Sequence, residues 1–243
     1  MAGKLWITNP DDELSIRLGA DGVAAKEAKT VFDVFRQMVK DLGDKPALSY
    51  KDLSKGTSAD DAPWVTLNWS EYYLEALKFG KSLLSLGFLE HSCINILGFN
   101  SVEWFVANMG AIAAGGIAAG IYTSNLPEAC KYITEHSKAE VVVVENKVQL
   151  DKYVQVASSL TTVKAIVMYH GEVPEGLELG FPVYTWAQFM ELGSNVAEAT
   201  LEERIIKQRP GMVCTLIYTS GTTGPPKAVM VSHDNLTWTA SVR

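Results

Sequence analysis

Nine consecutive residues, Thr219, Ser220, Gly221, Thr222, Thr223, Gly224, Pro225, Pro226 and Lys227, bring four hydroxyls, two glycines and one lysine into a single short stretch. That mixture suits a polyphosphate. Such a ligand offers many acceptor oxygens and several negative charges, and needs donors at close range with little side-chain bulk. Glycines let backbone N–H groups face an anion and permit positive φ. The hydroxyls are rotatable donors, and a lysine ammonium is a compact positive charge for phosphate oxygens. Two prolines fix φ at the exit, which reduces the entropy lost when a ligand binds. Lys227 is the candidate catalytic residue, and residues 219–227 together are the candidate nucleotide-binding loop.

Three other readings compete. Small polar residues gather in turns for conformational reasons alone, but the length of this string, its lysine and its apolar flanks weigh against a plain turn. A Walker loop runs Gly, four residues, Gly-Lys-Ser/Thr and opens a helix. Here two prolines separate Gly224 from Lys227, and the following Ala228, Val229, Met230 and Val231 read as strand. A serine hydrolase needs a Gly-x-Ser-x-Gly elbow, which Ser220 lacks.

The elements that must position this loop are legible as alternating patterns. Residues 30–41 have helical apolar spacing, with Thr30 as expected N-cap. Strand-like runs follow at 47–50 and 64–69, and a helix over 71–86 is expected to be capped by Ser70 and stopped by Gly87. Further strands are expected at 93–98, 117–122, 141–144, 163–168 and 212–219. The helices between them are expected to end at Ala114, with Asn100 as cap, and at Ser137, with Asn125 as cap and Pro127 in the first turn. Others are expected at 147–158, 186–192 and 200–207, and residues 233–243 read as a helix opening. Continuous apolar strands alternating with helices predict an α/β fold with a largely parallel sheet. Residues 171–180 read as a surface loop. The tryptophans at 64, 69, 104, 186 and 238 are expected to anchor the core. His233 could face a substrate pocket or start the last helix.

The segment from Leu216 to Leu236, LIYTSGTTGPPKAVMVSHDNL, resembles the phosphate-loop signature of the acyl-adenylate-forming enzymes. Upstream, Ile96 to Phe105, Gly110-Ala111-Ile112, Ala114-Gly115-Gly116 and Gly120-Ile121-Tyr122 are similar to long-chain acyl-CoA synthetases of the bubblegum type. So are Glu128-Ala129-Cys130, Val144-Glu145-Asn146, Phe189 to Gly193 and Ser232 to Asn235. The likeness covers nearly the whole chain and is weaker over about the first thirty residues. It implies that residues 1–243 are the N-terminal portion of an AMP-binding (adenylation) domain. It also implies a fatty acid substrate, ATP and Mg²⁺, coenzyme A as co-substrate, and Thr219 to Lys227 around the β- and γ-phosphates. The carboxylate would attack the α-phosphorus to give an acyl-adenylate, and the thiol of coenzyme A would displace AMP. One departure stands out: the family has glycine directly after the motif lysine, and here it is Ala228, which would be costly if that position needs positive φ.

The resemblance also implies that the adenine- and ribose-binding residues, the acidic metal-binding residue and the small C-terminal domain have no counterpart in this sequence. The expectation is therefore an incomplete sheet with exposed apolar surface, low solubility, and no complete ligase activity from the 243 residues alone. The alternative is a short non-catalytic product that binds a nucleotide, a lipid or a partner. A net charge of −7 without a basic tract argues against nucleic acid as partner. Three widely spaced cysteines, Cys93, Cys130 and Cys214, read as reduced core residues of a cytoplasmic protein. The four histidines show no metal-ligand spacing. Residues 104–122 are apolar enough to imitate a membrane span, but Gly115-Gly116 reads as a helix end before a buried strand. Peripheral attachment to the endoplasmic reticulum membrane would suit an acyl substrate, although no basic amphipathic helix is evident.

Overall fold

The computed structural model describes residues 6–16, 18–52, 55, 58, 60–219 and 224–241. The chain enters helix α1 (Val31–Leu42) through a capping box, in which Thr30 and Asp33 satisfy one another's backbone amides. An antiparallel pair follows, β1 (Pro46–Lys51) and β2 (Trp64–Asn68). Helix α2 (Trp69–Ser85) is capped by Asn68, reciprocally with Glu71, and not by Ser70. Its far end is a Schellman motif: Gly87, at φ 68°, donates to the Leu84 carbonyl, and Phe88 donates to that of Leu83.

From β3 (Cys93–Leu97) the alternation expected from the sequence appears. It runs through α3 (Val102–Ala113), β4 (Ile117–Ile121), α4 (Pro127–Ser137), β5 (Ala139–Val144), α5 (Lys147–Val154) and β6 (Ala165–Met168). Then come β7 (Val183–Thr185), α6 (Trp186–Leu192), α7 (Glu198–Ile206), β8 (Val213–Thr219), β9 (Lys227–Ser232) and α8 (His233–Ser241). Two more caps differ from expectation. Ser101, not Asn100, accepts from the Trp104 amide, and α4 begins at Leu126 and Pro127 without a side-chain cap. In both the Asn68 and Ser101 cases, the cap falls to the residue whose side chain reaches the amide three positions on. Asn125 instead closes a turn onto the Tyr122 carbonyl. Helix α5 stops at Val154, and residues 157–159 form a short 3-10 turn. Strand β7 carries only three half-buried residues, too few for a periodic signal.

The main sheet has the order β7-β6-β5-β3-β4-β8-β9, parallel throughout except for the antiparallel β9. Strands β3, β5 and β6 are buried at every position, because helices cover both faces. In β5 the side chains alternate. Val141 and Val143 join the core under α2, α3 and α6, while Val142 and Val144 join the core under α4 and α5. Phe79 of α2 is fully buried between Trp186 and Phe189, with ring centroids 5.4 and 4.8 Å away.

The tryptophan expectation needs correcting. Trp69, Trp104 and Trp186 pack on the core, but Trp64 and Trp238 are 67% and 46% exposed. Trp64 opens the outer strand β2 and lies under the Lys51 ammonium, which is 5.6 Å from the ring centroid. The segment 104–122 is divided as expected: α3 ends, Gly115 takes φ 77°, and β4 enters the sheet. Among the described residues no helix is long and apolar enough to cross a membrane.

Helices α2 and α3 cross closely, and Gly110 makes this possible. A Cβ there would lie 2.7 Å from Phe79 Cβ and 2.9 Å from the Ala76 carbonyl oxygen. Gly110→Ala should therefore force the helices apart and cost about 1–3 kcal/mol, in the range of overpacked cores. Chemical denaturation checks this. An unchanged midpoint would show that the crossing is not tight.

Candidate functional site

The site is built on the β8–β9 hairpin. Its attachment to the parallel sheet is short: β4 pairs with β8 only at Ala118–Thr215 and Ala119–Leu216. The Thr215 hydroxyl adds a bond to the Ala118 carbonyl at 2.8 Å. Beyond that ladder β8 runs on with β9 as its partner as far as Thr219–Lys227. The hairpin mouth thus lies past the C-terminal end of a strand, the usual position for ligands in open α/β sheets.

Among the sequence-predicted residues, Ser220, Gly221, Thr222 and Thr223 lie outside the described residues. The structure brings Thr219 and Lys227 together as the last pair of the ladder, and the Thr219 hydroxyl reaches the Lys227 carbonyl at 3.5 Å. Gly224 has φ 95°, and among the described residues nothing lies within 4 Å of where a Cβ would stand. This is the left-handed region that favours glycine. Pro225, Pro226 and Lys227 line a groove of about 1420 Å³ that also takes in Tyr132 and His136 of α4 and residues 6–11 of the N-terminal segment. The Lys227 side chain is exposed. Strand β9 follows directly, so the loop does not open a helix as a Walker loop would.

Ala228 is not strained. It pairs with Tyr218 inside β9 and packs on the core beneath α4. Among described non-glycine residues only His91 and Lys138 have positive φ. Alanine at this position therefore fits the strand without backbone cost.

Sequence reasoning did not single out Tyr132 or His136 for this site. The Tyr132 hydroxyl donates to the Pro226 carbonyl at 3.0 Å. His136, one turn further along α4, stacks on Tyr132 with ring centroids 5.5 Å apart. Its Nδ1 lies 2.9 Å from the Tyr218 hydroxyl, which donates to the Ile133 carbonyl at 3.3 Å. With the phenolic hydroxyl donating to Ile133, the His136 tautomer that completes the chain carries its proton on Nδ1. Burial raises the pKa of the Tyr218 phenol, which keeps it protonated. The i, i+4 spacing of an aromatic pair on one helix face was the available signal. Nothing local says which element that face meets.

The three cysteines are free and buried, as expected. Burial pushes the Cys93 and Cys214 thiols up to about 12 and Cys130 up to about 11, so none is a poised nucleophile.

Comparison with known proteins identifies the family. The model of the AMP-binding enzyme family matches residues 35–243. The chain belongs to the AMP-binding enzyme family. It is 42% identical over 238 residues to long-chain-fatty-acid–CoA ligase ACSBG2 of Xenopus laevis, covering 98% of this chain and 31% of that protein. It is 41% identical to ACSBG2 of Homo sapiens, covering 98% and 34%, and 40% identical to ACSBG1 of Homo sapiens, covering 97% and 31%. The chain thus spans about a third of the length of these relatives. In fold it is similar to the anthranilate CoA ligase AuaEII in complex with anthranoyl-AMP, with a TM-score of 0.68 and 22% identity over 91% of this chain and 38% of that one. The adenylation domain of a carboxylate reductase from Mycobacterium chelonae gives 0.70 at 18% identity, covering 89% and 36%. The α/β expectation and the acyl-CoA synthetase likeness read from the sequence are both borne out.

In this member of the AMP-binding enzyme family His233 is not turned toward the groove. It is the first residue of α8, 2% exposed, and its Nδ1 accepts from the Val31 amide at 3.2 Å. That amide is one of the unpaired donors at the start of α1. Of the two readings of His233, the helix start is the one observed. Burial lowers its pKa from 6.5 to about 4, against a weaker upward pull from Asp33. The unfolded chain takes up the proton near pH 6.5, whereas the folded chain takes it up only near 4. The neutral ring's contribution is thus complete above 6.5, falls as pH drops, and is gone below 4. It amounts to about 3 kcal/mol. His233→Gln should flatten this loss of stability between pH 6.5 and 4 in denaturant titrations. An unchanged pH profile would show that His233 does not carry it.

Proposed function

We propose that the protein activates a long-chain fatty acid with ATP, first as the acyl-adenylate and then as the thioester of coenzyme A. On this reading the chain supplies the part that holds the polyphosphate. The observation that carries it is the hairpin mouth: Gly224 at φ 95°, clear of the other described residues, and Lys227 exposed where the β8–β9 ladder ends. Membership of the AMP-binding enzyme family and likeness to long-chain-fatty-acid–CoA ligases over almost the whole chain support it.

The residues present fit such a ligand. Pro225 and Pro226 carry no N–H, so Gly224 offers its own amide without side-chain bulk, and the Lys227 ammonium offsets charge on the phosphate oxygens. That charge compensation matters most where negative charge grows as the α-phosphorus is attacked. Pro225 and Pro226 fix the approach to Lys227, so little freedom is lost on binding. The hydroxyls of Thr219, Ser220, Thr222 and Thr223 add donors. The hydroxyls of this stretch are the hard oxygen donors that would hold a Mg²⁺ ion accompanying the nucleotide, and such an ion would supply charge neutralisation at the phosphates. The three inert, reduced cysteines favour a cytoplasmic setting.

Lys227→Ala in the intact protein should lower fatty-acid-dependent pyrophosphate release by about 100-fold, the usual cost of removing a charge-stabilising donor. Unchanged release together with unchanged ATP affinity would remove Lys227 from the site.

A further inference from the structure

We propose that Tyr132 and His136 of α4 are positioning residues that hold both stems of the phosphate loop in register. The inference rests on the phosphate-holding reading above and extends it to a helix outside the loop. On the exit side, the Tyr132 hydroxyl donates to the Pro226 carbonyl at 3.0 Å. That carbonyl belongs to the peptide bond whose nitrogen is that of Lys227, so the bond fixes the plane from which the lysine side chain departs. On the entry side, His136 Nδ1 lies 2.9 Å from the hydroxyl of Tyr218, the residue before Thr219. The Tyr218 hydroxyl donates to the Ile133 carbonyl at 3.3 Å, which returns the contact to the same helix.

The two anchors sit one helical turn apart and stack on each other at 5.5 Å. Tyr132 and His136 therefore act from one face of α4. Tyr218 and Ala228 are cross-strand partners, one step inside the Thr219–Lys227 pair that closes the ladder. The hairpin needs this support because its parallel ladder with β4 stops at Ala119–Leu216, short of the mouth. Without α4, the orientation of Lys227 would depend on the two-stranded hairpin alone, and isolated hairpins are marginal.

The test is equilibrium binding of ATP and of AMP to the intact protein, with Tyr132→Phe and Tyr218→Phe as variants that lose only a hydroxyl. Tyr153→Phe is the control, since the hydroxyl of Tyr153 on α5 is bonded to Thr134 of α4 at 3.2 Å and not to any described residue of the loop. Tyr132→Phe should weaken ATP about fivefold, the worth of one hydrogen bond, and leave AMP unchanged, because the loop serves the phosphates that AMP lacks. Tyr218→Phe should act in the same direction, and Tyr153→Phe should change neither ligand. Equal weakening of ATP and AMP by Tyr132→Phe, or no weakening of either, overturns the proposal. Lys227→Ala in the same assay separates the two levels. If it leaves both ATP binding and fatty-acid-dependent pyrophosphate release intact, Lys227 leaves the site and the phosphate reading itself falls. If it weakens ATP while Tyr132→Phe does not, only the role of α4 falls.

Discussion

The structure turns on how little of the hairpin is tied to the parallel sheet. Strands β3, β5 and β6 are locked by apolar contact on both faces, whereas β8 shares only two register positions with β4. Past that point the hairpin leaves the doubly covered sheet, and its outward Ile217 and Val229 are about half exposed. Its inward face, with Tyr218, Ala228 and Met230, packs on the core beneath α4, and a small set of polar contacts orients it. Tyr132 and His136 hold the mouth. At the other end of β9, the amides of Ser232 and Asn235 each donate to the other's side-chain oxygen at the start of α8, and His233 ties that start to the first amide of α1.

Those contacts are short-range and directional, so they set orientation more than they add stability. A loop that must present hydroxyls and an ammonium to a flexible ligand benefits from such orientation, because freedom removed before binding is not lost during it. The left-handed Gly224 and the two prolines act in the same sense within the chain itself. Meanwhile the packed layers do the ordinary work of an α/β fold. Buried aromatic clusters such as Phe79 with Phe189 and Trp186 hold α2 and α6 over one face.

Much of this was legible in the sequence because it is local. The buried strands announce themselves as apolar runs, Gly87 and Gly115 mark turns, and the string from Thr219 to Lys227 reads as phosphate chemistry in a recognisable family. What was not legible depends on side-chain reach or on tertiary contact. Asn68 and Ser101 take caps that neighbouring Ser70 and Asn100 could have taken, a choice set by which side chain meets the amide three residues on. Trp64 is exposed because it falls on the solvent side of β2, where Trp64 and Thr66 alternate with the partly buried Val65 and Leu67. Ala228 already reads as strand in the sequence, and its harmlessness follows from the β9 backbone, which starts at Lys227 and needs no positive φ there. Tyr132 and His136 lie more than eighty residues from the loop in sequence, and no periodicity connects them to it.

The most direct measurement is hydrogen exchange of the intact protein with and without ATP. A phosphate site at the hairpin mouth predicts slower exchange in the segment spanning residues 219–231 when ATP is present, with the strands β5 and β6 unchanged. Binding of ATP that leaves this segment as it was, or protects a different part of the chain instead, would contradict it.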